Sequence, residues 1–120
     1  MACALVPVAA GAQGRDPYAS DQQRLAYQVA EQTFPILGWA LGCGVIDGAH
    51  AEVVMNAQVG RLYQLGAPPT QSFLDEINAK FGAAQKRAAT PGACDFWHDH
   101  PEEVQSLREQ TDAALASAYP

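Results

Sequence analysis

The sequence predicts an all-α fold: a small irregular four-helix bundle with a Pro/Gly-interrupted buried central segment and one disulfide. Three observations carry that expectation. Alanine supplies 23 of the 120 residues, while Leu, Ile, Val and Phe together supply 24, a balance that favours helices packed closely through small side chains. Apolar positions recur at spacings of three and four, the helical period, and strand formers are too sparse for a sandwich. Two cysteines far apart in the chain, Cys43 and Cys94, remain once an apolar leader is set aside. A chain of this length closes one core, so a single domain is expected over 13–120.

Residues 1–12 carry no charge and read as the rear half of a secretory signal peptide. The apolar run Ala4-Leu5-Val6-Pro7-Val8-Ala9-Ala10 leads into Ala10-Gly11-Ala12, which places cleavage between Ala12 and Gln13. No Lys or Arg precedes Arg15, so the leader is expected to be truncated; lipid attachment at Cys3 is the alternative to its removal. With Cys3 gone, Cys43 and Cys94 form the even pair that an oxidising compartment favours. The expected location is the periplasm or the exterior.

Ser20 or Asp21 can cap the first helix, in which Leu25, Val29 and Phe34 are the apolar positions. Pro35 removes a backbone donor and crowds the preceding turn, so a kink or break is expected there. From Ile36 to Ile46 no residue is charged. The uncharged window between Glu31 and Asp47 is fifteen residues and contains a proline and three glycines, too short for a membrane span. It reads as a buried segment in which Gly38 and Gly42 let another helix approach.

Asp47 caps the next helix, with Ile46, Ala49, Val53, Ala57 and Gly60 as its stripe and Val54, Leu62 and Leu65 extending it. Gly66 ends it before the stiff turn Ala67-Pro68-Pro69. Thr70 caps a third helix with a core face of Phe73, Leu74, Ile77, Phe81 and Ala84. Its acids come early and its bases late, as the helix dipole prefers. Thr90-Pro91-Gly92 is a break. A last helix follows Pro101, with Asp99 or His100 as its cap and Val104, Leu107, Thr111, Ala114 and Leu115 on one side.

Seven basic against thirteen acidic residues give a formal net charge of -6. That excludes duplex binding, which needs a basic face. Charge is uneven: residues 90–120 hold six acids and one arginine, a net of -5, whereas residues 60–89 hold four bases and two acids, a net of +2. Opposed patches of this kind can steer assembly.

The densest polar run is Cys94-Asp95-Phe96-Trp97-His98-Asp99-His100-Pro101. Asp95, His98, Asp99 and His100 form a candidate ligand set for zinc or copper, since imidazole and carboxylate suit both ions. The competing reading is helix capping and solvation. Phe96 and Trp97 plug the core beside the disulfide, or else one of them joins Trp39 and Tyr63 in an exposed aromatic anchor for a partner. No nucleophile elbow, phosphate loop, dinucleotide fingerprint or His-Glu-x-x-His occurs. Cys94 with His98 is the nearest nucleophile pair, and a disulfide would disarm it.

The leading expectation is therefore a non-catalytic exported interaction protein, a small accessory subunit of an envelope or membrane-associated complex. Two alternatives stand beside it. One is a periplasmic metal-binding protein using the Asp95-His98-Asp99-His100 cluster. The other is an acid-stress chaperone whose carboxylates loosen the fold when protonated.

Overall fold

Five helices and no strand make up residues 20–118, the part of the chain that the computed structural model describes. The leader expected over 1–12 lies outside these residues. The helices are α1 (Asp21–Gly42), α2 (Gly48–Gln64), α3 (Gln71–Arg87), the short α4 (Asp95–Asp99) and α5 (Pro101–Ala118).

Three starts are set by side-chain caps, because the first N–H groups of a helix have no partner within it. Ser20 Oγ accepts from Gln23 N, Asp47 Oδ1 from His50 N, and Thr70 Oγ1 from Phe73 N, at 3.2, 3.0 and 3.1 Å. Two ends are set by glycine. Gly44 and Gly66 adopt φ of 74° and 75°, the left-handed region that other residues enter at a cost. Each carries the paired bonds of a Schellman turn: Val45 N to Ala40 O with Gly44 N to Leu41 O, and Ala67 N to Leu62 O with Gly66 N to Tyr63 O.

Helix α1 is the hub. It packs against α3 and α2, while α5 packs against α2 and touches α4. No α3–α5 packing of comparable extent closes this row into a ring, so the expected four-helix bundle becomes an open arrangement of five helices. The extra helix is α4, a single turn nucleated beside Cys94.

Pro35 does not break α1, which runs unbroken to Gly42. A proline in a helix interior costs about 3 kcal/mol. Its neighbours Phe34 and Leu37 are buried, and burying such side chains returns about 1.5–3 kcal/mol each, so packing wins. The buried central segment is thus the second half of α1 and the turn after it.

Close packing of α1 on α3 rests on Gly38 and Gly42. A Cβ on Gly38 would collide with the backbone carbonyl of Phe81, and one on Gly42 would lie 2.5 Å from Ala88 Cβ and 2.7 Å from Gln85 O. Leu37, Ala40, Val45, Ile46, Ala51 and Trp97 form one core cluster, and Ala30, Phe34 and Ile77 another. Met55 and Phe81 pack against both.

The disulfide is present. Cys43 and Cys94 are bonded with Cα atoms 5.7 Å apart, at positions 51 apart in sequence. It ties the end of α1 to the start of α4.

Candidate functional site

In α1 the core-facing residues are Tyr27, Ala30, Phe34 and Leu37. Leu25 and Val29, which the sequence placed with Phe34 in the core, are exposed instead. Helical spacing explains why: residues 25, 29 and 36 are four and seven apart and fall in one line on the side opposite the core. Leu25, Val29 and Ile36 are 59%, 40% and 44% exposed.

Two grooves flank this line. Toward α2, Leu25, Ala26 and Val29 face Gln58 and Arg61 across a groove of about 350 Å³. The Oε1 atom of Gln58 is buried there and has no donor among the described residues. Toward α3, Pro35, Ile36 and Trp39 face Ala84, Arg87, Thr90 and Ala93 across a second groove, also about 350 Å³. Both arginines are exposed, and neither has an ion pair among the described residues, where acids pair with Arg24, His50 and Lys80.

An aromatic cluster continues the line past its C-terminal end. Trp39 Nε1–H donates to Ala93 O at 2.6 Å, which fixes the indole in the groove wall. Its ring centroid lies 5.4 Å from that of Phe96 and 4.8 Å from that of Trp97. Phe96 is 38% exposed and stacks on His100. Trp97 is buried, with no acceptor for its Nε1–H among the described residues. The structure therefore divides the four aromatics that sequence offered as an interface. Trp97 belongs to the core, Trp39 and Phe96 reach the surface together, and Tyr63 is exposed on α2 without a ring contact to the others among the described residues.

Asp95, His98, Asp99 and His100 lie on and just after α4 but do not converge. Among the described residues no three His, Cys, Asp or Glu side chains are placed to hold a metal ion. His100 Nδ1 hydrogen-bonds the Phe96 carbonyl at 2.8 Å, so it is turned away from its neighbours. His100 occupies the cap position of α5 through its backbone carbonyl, which accepts from Val104 N at 3.2 Å. Asp99 ends α4. The Cys94 sulfur is bonded to Cys43 and offers no thiolate to His98.

A second polar constellation joins α2 to α5. His50 Nδ1 lies 2.5 Å from Asp47 Oδ1, and its Nε2 lies 2.6 Å from Asp112 Oδ1. Arg108 lines the same hollow and donates Nε–H to Val45 O at 2.7 Å. A neutral imidazole has one N–H and can serve one carboxylate, so only protonated His50 makes both bonds. Hydrogen bonds to Asp47 and then Asp112 raise its pKa above the ordinary histidine value. The His50 backbone N–H, then its side chain, hold Asp47 below the usual carboxylate range.

The signs follow from linkage. Stability from the raised His50 pKa is complete below the unfolded value, about 6.5, and is lost as pH rises through the folded one. Stability from Asp47 is lost as pH falls through its lowered value. The wild type is thus expected to melt highest near pH 5–6. Both carboxylates are solvent-exposed, so the effect is as small as that of other surface pairs. A His50→Gln variant should lose the decline between pH 6 and 8.5; scanning calorimetry over that range checks it, and an unchanged decline would remove the bridge.

Sequence reasoning missed the exposed line on α1 because the helix has two apolar faces. The distinguishing signal is the glutamines at 22, 28 and 32 that border residues 25, 29 and 36. His50 follows Asp47 by three residues, but nothing local to residue 112 announces the third partner. Comparison with known protein families, with curated proteins and with solved structures finds no match.

Proposed function

We propose that this protein is a non-catalytic helical docking module that binds another protein across the outer face of α1, as a small accessory subunit of an envelope or membrane-associated assembly. One observation carries the reading. Of the five large apolar side chains that stand exposed among the described residues, Leu25, Val29 and Ile36 line that face and Phe96 adjoins its end through Trp39. Exposed apolar groups gathered on one side, with a polar border, mark interaction surfaces; scattered ones do not. Aromatic residues held rigidly at the edge of such a surface make effective anchors.

The Cys43–Cys94 bond supports a place in an oxidising compartment, the periplasm or the exterior. Among the described residues no helix is long and apolar enough to cross a membrane.

The test is a charge in the middle of the face. Tagged wild type, extracted from its native cell and run on a native gel, should migrate as a complex. A Leu25→Glu/Ile36→Glu variant should run as the bare chain while keeping its thermal melt, since both side chains are exposed. Wild type migrating as the bare chain, or a variant that keeps the complex, would count against docking.

A further inference from the structure

We infer that the segment docked on α1 is an acidic amphipathic helix, laid along Leu25, Val29 and Ile36 with carboxylates reaching Arg61 and Arg87; this rests on the docking reading above. The face sets the length. Leu25 and Ile36 are eleven positions apart, about 16 Å of helix, or three turns. The groove geometry sets the form. The line is a ridge with one groove toward α2 and one toward α3, and a helix laid along it seats apolar anchors spaced three, four and seven apart into the grooves beside it. An added strand would need a sheet edge, and the described residues contain no strand.

Charge sets the chemistry. In a chain of net charge -6, the two grooves each end on an exposed arginine with no ion pair among the described residues. Both lie in the last turns of their helices, where the dipole welcomes a cation but supplies no carboxylate for the guanidinium donors. The residues beside the apolar line on α1 are glutamines, while Asp21 is already paired to Arg24 and Glu31 is partly buried off the line. A second copy of this chain fits poorly. Two such faces packed together would bring two arginines from each copy and no carboxylate from either groove. An anionic membrane fits poorly as well, because the rest of the chain is acidic.

The probe is a labelled synthetic helix of about five turns with a leucine stripe and glutamates at both ends, and a twin with lysines in their place. Fluorescence anisotropy should show the glutamate peptide binding at least about tenfold tighter than the lysine twin. An Arg61→Glu/Arg87→Glu protein, its melt unchanged, should reverse that order. Equal binding, no binding of either peptide, or a glutamate preference that survives the arginine swap would overturn the inference. So would capture of the protein by anionic vesicles in preference to the peptide, or a concentration-dependent dimer in sedimentation that Ile36→Glu abolishes.

Native gels separate this from the parent reading. A complex broken by Leu25→Glu/Ile36→Glu but untouched by the arginine swap leaves docking in place and removes the acidic helix. A complex that survives both sets of changes removes both.

Discussion

Replacing Cys43 and Cys94 together by serine should cost about 4 kcal/mol of folding stability, the loop-closure entropy of cross-linking positions 51 residues apart. Small domains hold only about 5–15 kcal/mol in all. The loss would also be felt in a particular place. The bond connects the last turn of α1 to α4, and α4 carries Trp97 into the core cluster of Leu37, Ala40 and Val45. Apart from that insertion and the ring contacts of Phe96 and Trp97 with Trp39, α4 is held by its packing on α5. We therefore expect the urea midpoint to fall steeply in the double variant, and equally in reduced wild type. Indole fluorescence should change before helical circular dichroism as α4 detaches. Coincident midpoints for oxidised and reduced protein would show that the staple carries no weight.

The second large effect is expected from one methyl group. A Gly38→Ala substitution should destabilise by about 2–3 kcal/mol, although alanine is the better helix former by about 1 kcal/mol. The added Cβ meets the Phe81 carbonyl, its carbon and its Cα, and backbone cannot rotate aside as a side chain can. The helices α1 and α3 would have to part, opening gaps around Ala30, Phe34 and Ile77. Gly60→Ala is the matched control. Nothing lies within 4 Å of the Cβ it would add, so that change should stabilise by about 0.5–1 kcal/mol. Opposite signs for the two substitutions in chemical denaturation establish the close approach. A neutral or stabilising Gly38→Ala would refute it.

Much of the fold was legible because its signals are local. The caps at Ser20, Asp47 and Thr70 need only a polar side chain three residues ahead of an orphan N–H. Gly66 needed only the end of a period, and the apolar sides read for α3 and α5 are the ones that pack, with Ile77, Ala84 and Thr111 buried. What failed was the choice between faces. In α1, Leu25 and Val29 looked like core because they are larger than Ala30, yet it is Ala30 that α3 can approach. In and just before α2 the sequence rightly placed Ile46, Val54 and Leu62 on the apolar side, but it favoured Ala49, Val53 and Ala57 where Ala51 and Met55 are the residues turned inward. Alanine-rich helices carry weak hydrophobic contrast, so the periodicity is visible but its phase is not. Pro35 failed for another reason. Its cost is local, whereas the burial of Phe34 and Leu37 that outweighs it comes from partners distant in the chain.

The candidate site suffers from the same ambiguity, since its defining residues are the ones that looked most like core. The chemistry-bearing run at 94–100 drew attention by density, but density in sequence is not convergence in space. His50 illustrates the converse. Its two carboxylates lie 3 and 62 residues away, and only the packing of α5 on α2 brings the second within reach.

Photo-cross-linking in the native cell tests the docking claim most directly. A benzoyl-phenylalanine placed at Ile36 should yield a discrete adduct with one partner protein, while the same group at Glu109 on α5 should yield none. Adducts that are absent from position 36, or identical from both positions, would contradict the assignment of the α1 face as the binding surface.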